Sequence, residues 1–186
     1  MKTAVICHGF VPWEEYFEMD FPSPSNAHWL PWLQQKFLRA GILCQKLEMP
    51  TPYKPIYEEW KKTFEQLDYS NLAMAVGYSA GAGFILKWLH ENPNVSLEKL
   101  VLVAPWLDPD RSEGDFLKFD LKPGALDKIK EVHLFHSEDD DDDIKESVRQ
   151  IMQTFPNIKF HGYADKGHFR FQDVGNTFED LWEVLK

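Results

Sequence analysis

The sequence predicts an α/β fold: a mostly parallel sheet of about six strands with helices on both faces, in one compact domain spanning residues 1–186. Three observations predict it. Short apolar runs alternate with amphipathic runs along the chain, as strands do when helical crossovers join them. The length, 186 residues, suits one domain with a real core. The third is Gly77-Tyr78-Ser79-Ala80-Gly81, which lies between an apolar run, Leu72–Val76, and a helix-like run from Ala82 to Leu89.

The elements follow in order. Thr3–Cys7 reads as a buried strand. Asn26–Ala40 reads as a helix, with Trp29, Leu30, Leu33, Phe37 and Leu38 at helical spacing and Gly41 ending it. His28 and His90 are placed inside helices, as surface or packing residues. Ile42–Leu47 is the second strand, and Ile56–Leu67 a helix whose Tyr57, Trp60, Phe64 and Leu67 share a face. Leu72–Val76 is the third strand, followed by the helix after Ser79. Lys99–Ala104 and Val132–His136 are the fourth and fifth strands. A helix from about Ile144 to Phe155 leads to the sixth, Ile158–Tyr163, and Asn176–Leu185 closes the chain. Pro105–Lys122 has little apolar periodicity. It follows the C-terminal end of a strand, the edge where open α/β sheets bind ligands. It is a candidate short lid and is far too short for a large cap domain.

Composition narrows the function classes. The formal net charge of −10 argues against a nucleic-acid backbone or an anionic membrane surface as partner. Two cysteines, Cys7 and Cys44, make no disulfide framework, and Cys7 reads as a buried, reduced thiol. The first residues lack the apolar core of a signal peptide, and no apolar stretch is long enough to span a bilayer. A soluble, cytoplasmic protein is the expectation.

Ser79 carries the chemistry. A serine on a sharp turn between strand and helix presents its hydroxyl above the sheet, with helix N–H groups behind it. That hydroxyl is a weak nucleophile unless a base takes its proton, and the base needs a group that fixes its tautomer. In such folds the chain order is serine, acid, histidine. His168, after the last strand and behind Gly167, is the candidate base. His136 is its rival, but it precedes the acid in the chain. His133 and His161 lie within strands and read as structural. The acid comes from Glu138-Asp139-Asp140-Asp141-Asp142-Asp143, with Asp139 or Asp140 pointing at the histidine and the rest a solvated face. The run lacks the spaced ligands, glycine and distal glutamate of a calcium loop, so no metal and no cofactor are expected. Two N–H groups should hold an oxyanion: that of Ala80, after the nucleophile, and that of Phe10, in the His8-Gly9-Phe10 loop after the first strand. His8 reads as a loop-shaping residue.

These motifs resemble a known family. A His8-Gly9 loop, Trp29-Leu30-Pro31-Trp32-Leu33, Glu48-Met49-Pro50-Thr51-Pro52, Gly77-Tyr78-Ser79-Ala80-Gly81, Ser137-Glu138-Asp139-Asp140 and Gly167-His168-Phe169 are together similar to the YdeN-like and retinoblastoma-binding-protein-9-like serine hydrolases of the α/β-hydrolase superfamily. The resemblance spans nearly the whole chain. It implies a compact α/β-hydrolase with almost no lid and an esterase-like activity. It also implies that Asp140, the second aspartate of a Ser-x-Asp-Asp motif, is the acid. The chain departs from the family pattern at Asp141-Asp142-Asp143-Ile144, which keeps Asp139 as the alternative.

The expected activity is hydrolysis of a small ester, thioester or amide through an acyl-enzyme on Ser79, with acyl transfer to another alcohol as a related chemistry. The alternative is a binding protein on the same fold without turnover. Trp13, Tyr16 and Phe17, in a loop with Glu14, Glu15 and Glu18, read as a wall of the active site or, on the alternative, as a binding surface. Phe10, Trp13, Trp106 and Phe169 are the aromatic candidates for lining the pocket, which suggests short acyl or aromatic groups.

Overall fold

The structure, a computed structural model, describes residues 1–186. Six strands form one sheet in the order β2-β1-β3-β4-β5-β6. They are β1 (Thr3–Cys7), β2 (Leu43–Leu47), β3 (Leu72–Tyr78), β4 (Leu97–Val103), β5 (Ile129–Ser137) and β6 (Lys159–Tyr163). Every neighbouring pair is parallel, so the sheet is wholly rather than mostly parallel. β1 and β3 are buried along their full length, as the unbroken apolar runs require of strands covered on both faces.

The helices are α1 (Trp13–Tyr16), α2 (Leu30–Arg39), α3 (Tyr57–Phe64), α4 (Ala80–Glu91), α5 (Asp142–Thr154), α6 (Phe171–Val174) and α7 (Glu179–Leu185). The strand order assigns them to two layers. The connection from β1 to β2 runs one way along the sheet, and all later connections run the other. Right-handed crossovers then put α2 on one face and α3, α4 and α5 on the opposite face. Side-chain packing agrees: Phe37 of α2 meets Trp182 of α7 at 5.7 Å between ring centroids, while Phe64 of α3 packs on Phe84 and Trp88 of α4 at 5.3 and 5.0 Å. One cluster of 50 buried residues runs through both layers, which makes this a single domain.

The reversal of direction falls between β1 and β3. The loops leaving their C-terminal ends part there and open a crevice, the usual ligand site of such sheets. The loop after β1 is His8-Gly9-Phe10, and the turn after β3 is Ser79.

Three local expectations change. Residues 26–29 are not α-helical. Pro24–Asn26 forms a single 3-10 turn, His28 has a φ of 56°, and α2 begins only at Leu30. Pro31 at the second helical position suits that start, since proline is tolerated where the first N–H groups have no helical partner. Trp13, Tyr16 and Phe17 are not on an open loop. They belong to or follow the short helix α1 and gather around Tyr53, with Trp13 and Tyr53 4.7 Å apart. Pro105–Lys122 is a pinned wall rather than a lid. Trp106 and Leu117 are buried, the Asp108 carboxylate accepts from the backbone N–H groups of Ser112 and Glu113 at 2.7 and 2.9 Å, and Lys87 of α4 donates to the carbonyls of Asp115 and Phe116 at 3.2 and 2.9 Å.

Candidate active site

Ser79 has φ 54° and ψ −123°, a conformation that costs a non-glycine residue energy and persists only where neighbours impose it. Its N–H donates to the Val103 carbonyl at 2.9 Å, and its carbonyl accepts from the Trp106 N–H at 3.2 Å. β4 and the loop after it therefore hold the turn from both sides. The flanking glycines are there for contact. A Cβ on Gly77 would lie 2.5 Å from the Ala82 Cα, and one on Gly81 would collide with the His8 carbonyl oxygen. The G-x-S-x-G spacing thus lets α4 start tightly against β1 and β3.

Ser79 Oγ lies 3.0 Å from His168 Nε2. His168 Nδ1 lies 2.9 and 3.1 Å from the two carboxylate oxygens of Asp140. A proton on Nδ1 donated to Asp140 leaves Nε2 as the acceptor for the serine hydroxyl. The Asp140 side chain is wholly buried and also accepts from the Asp141 N–H at 2.7 Å. The three residues sit on three separate strand ends, after β3, β5 and β6. The arrangement can take a hydroxyl proton onto His168 while a buried carboxylate stabilises the resulting cation.

The acidic run divides its work residue by residue. Asp139 does not face His168. Its carboxylate accepts from the Ser137 hydroxyl at 2.5 Å and from the Gly167 N–H at 2.8 Å. Ser137 Oγ in turn accepts from the Lys166 N–H at 2.8 Å, so this pair holds the loop that carries His168. Asp141 occupies the N-cap position of α5 without a side-chain capping hydrogen bond, and it lines the cavity. Asp142 is fully exposed and pairs with Lys145 at 2.9 Å. Asp143 accepts from the Trp106 indole N–H at 2.8 Å. Two carboxylates in the first turn of α5, Asp142 and Asp143, also suit the partial positive charge there.

The far side of His168 is fixed as well. Tyr78 donates its hydroxyl to the His168 carbonyl at 2.8 Å, and the Trp29 indole donates to the Phe169 carbonyl at 3.0 Å. Burial pushes the Tyr78 hydroxyl pKa up, so it stays a donor. His136 makes no hydrogen bond to Ser79 or Asp140. Its Nδ1 is buried without a partner, and burial lowers its pKa. His8 binds two loops together: its Nδ1–H donates to the Gly9 carbonyl at 2.8 Å and its Nε2 accepts the Met49 N–H at 2.9 Å. Burial lowers its pKa despite Glu48 nearby, which keeps it neutral in that position.

The Phe10 and Ala80 N–H groups both lie beside Ser79 in the chain fold, and neither donates to a protein acceptor. Gly9 brings the first loop into contact with the Ser79 side chain. A cavity of about 330 Å³ opens over Ser79 and His168. Phe10 and Trp106 line it, as the sequence suggests. Trp13 does not, because it sits outward in the α1 cluster at 55 % exposure. Phe169 does not either: it is fully buried and stacks on Phe178 at 5.3 Å. Its backbone turns at φ 56°, which swings its ring into the core while His168 faces the cavity. His28, Glu113 and Arg170, which no motif in the sequence marks, also stand on the cavity wall. For His28 a signal existed: Pro31 places the helix start after it.

The family model described as serine hydrolase matches residues 21–186. The chain belongs to the serine hydrolase family. A Bacillus subtilis (strain 168) protein described as a hydrolase, YdeN, is 29 % identical to this serine hydrolase over 106 residues. That alignment covers 55 % of this chain and spans 50 % of the length of YdeN. The crystal structure of the B. subtilis ydeN gene product superposes with a TM-score of 0.77 at 22 % identity, covering 100 % of this chain and 97 % of that one. A YdeN-like hydrolase from Pectobacterium atrosepticum has a TM-score of 0.69 at 13 % identity over 99 % of this chain and 89 % of its own. A monoacylglycerol lipase from Paleococcus ferrophilus gives 0.63 at 14 % identity, over 98 % and 91 %. At these identities the solved structures establish that this serine hydrolase has the α/β-hydrolase fold. No helix in it is long and apolar enough to cross a membrane.

Proposed function

We propose that this protein is a carboxylesterase-like hydrolase that cleaves a small ester, thioester or amide through an acyl-enzyme. Ser79 attacks the carbonyl carbon as His168 takes its proton at Nε2. Asp140 orients the imidazole through Nδ1–H and stabilises its cation. The N–H groups of Phe10 and Ala80 receive the oxyanion. His168 then protonates the leaving group, and water, deprotonated by the same nitrogen, releases the acid. The observation that carries this reading is the unbroken relay from Ser79 Oγ through His168 to Asp140, at 3.0 and 2.9 Å. The cavity size supports a small substrate. Cys7 and Cys44 are both buried free thiols, which supports a reducing, cytoplasmic location.

A fluorophosphonate probe tests the reading. It should label the native protein at Ser79 and leave Ser79→Ala unlabelled, and Ser79→Ala should lose at least about 10³-fold in kcat on p-nitrophenyl esters. Wild-type turnover by Ser79→Ala would sink the mechanism. A second reading, binding without turnover, draws on the exposed rings of Trp13 and Phe17, which pack on the half-buried Tyr53. It requires that the native protein not be labelled at all.

A further inference from the structure

His28 is one of the polar cavity side chains for which the Ser79–His168–Asp140 relay has no use. Its position is imposed from both sides. Before it, Asn26 Nδ2 donates to Ser23 Oγ at 2.7 Å and the Ser25 N–H donates to Glu48 at 3.2 Å, which closes the 3-10 turn. After it, Trp29 is fully buried. Between these anchors His28 takes a φ of 56°, a conformation costly for a histidine, and its ring faces the cavity it shares with Ser79, Tyr78 and His168.

Its tautomer is fixed too. The Phe171 N–H donates to His28 Nδ1 at 3.1 Å, so Nδ1 is the acceptor and the ring proton resides on Nε2. Nε2 has no protein partner. Burial, with Arg170 and His168 close by, depresses the His28 pKa to about 4 against the opposing pull of Asp173. The group is a neutral donor at ordinary pH.

We propose that His28 is a specificity residue, whose Nε2–H donates to an uncharged oxygen acceptor next to the scissile group of the substrate. The preferred substrates are then esters carrying an ether, hydroxyl or carbonyl oxygen near the reacting carbonyl, rather than plain alkyl esters. The acceptor is uncharged because Glu15, Glu113 and Asp141 line the same cavity against the single cation Arg170. The proposal rests on the hydrolytic reading above.

Two pairs of esters test it, each differing by one CH₂ replaced with oxygen. p-Nitrophenyl methoxyacetate and p-nitrophenyl butyrate probe the acyl side; 2-methoxyethyl butyrate and butyl butyrate probe the alcohol side. Each kcat/KM is divided by the alkaline hydrolysis rate of the same ester. The native enzyme should favour the oxygen-bearing ester by about tenfold in at least one pair. His28→Phe should abolish that ratio, and His28→Gln, whose amide N–H reaches the same place, should restore part of it. His28→Asn tolerates the backbone but is too short to reach, so it should lose the ratio as His28→Phe does. Probe labelling of Ser79 reports that the site is assembled in each variant. A native enzyme that labels and turns over with no preference in either pair overturns this proposal alone, as does a preference that survives in His28→Phe or His28→Asn. A native protein that neither labels nor turns over overturns the hydrolytic reading and this proposal with it.

Discussion

Asp139 and Asp140 are chemically identical and adjacent, yet the structure gives them different neighbours. Asp140 meets an imidazole, and Asp139 meets a hydroxyl and a backbone N–H. Substitution should therefore separate them. Asp140→Asn removes the charge that orients His168 and should cost about 10³–10⁴-fold in kcat. Asp139→Ala acts only through the loop bearing Gly167, and should cost about tenfold or less while lowering thermal stability. Steady-state kinetics with a melting curve for each variant checks both, and equal activity losses would refute the division. The sequence could list both aspartates but could not choose between them, because the choice depends on where β6 delivers residues 166–168. The same limit applies to Phe169. Its neighbour faces the cavity, but a backbone φ of 56° sends its own ring inward, and no periodicity encodes that turn.

Among the elements, the strands were readable because a fully buried parallel strand is an unbroken apolar run. β1 matches its expected bounds, whereas β5 runs from Ile129 to Ser137 and so starts three residues before the apolar run does. Its outer residues Lys130 and Glu131 lie beyond the core, so hydrophobicity could not mark them. The four-residue helices α1 and α6 are too short to show a period. The crossover from β4 to β5 has no regular helix to find. Its order comes from buried side chains bonding to backbone, among them Asp108 at 0 % exposure and Lys87 at 8 %. Lys87 also lies 3.8 Å over the Tyr57 ring. Lys87→Met should lower stability by about 1–3 kcal/mol, since it leaves the buried Phe116 carbonyl without a donor. Because the freed segment includes the cavity residues Ser112 and Glu113, KM should rise more than kcat falls. Thermal unfolding and a full kinetic curve measure the two effects; an unchanged melting temperature would mean that the tether is not needed.

At the scale of the whole molecule, histidine burial sets the response to acid. His8, His28, His90, His133, His136 and His161 all have lowered pKa values, with burial the leading cause in each. A histidine depressed in the folded state binds fewer protons there than in the unfolded chain. Its stabilising effect is complete above the unfolded pKa of about 6.5 and is lost as pH falls toward the folded value, about 4 for His28. The melting temperature should be flat above pH 7 and fall by about 5 °C or more by pH 5. A melting curve that stays level across that interval would show that these rings protonate without strain. Net charge works at the same scale on substrate choice. With Glu15, Glu113 and Asp141 at the cavity and −10 overall, an ester with a carboxylate tail should react more slowly than its neutral isostere, and added salt should narrow the gap.

The five aspartates from 139 to 143 form a homopolymer in the text of the sequence and a set of separate parts in space. Loop clamp, histidine partner, cavity-wall residue, solvent-facing ion pair and indole acceptor occur in that order. Deleting any one of the five gives the same protein, because the remaining letters are indistinguishable. That one protein cannot keep all these roles. The loop would lose its clamp or the imidazole its partner, or α5 would begin about 100° out of phase with Trp106. The tract therefore tolerates no slippage in length, although its composition would hardly register the change.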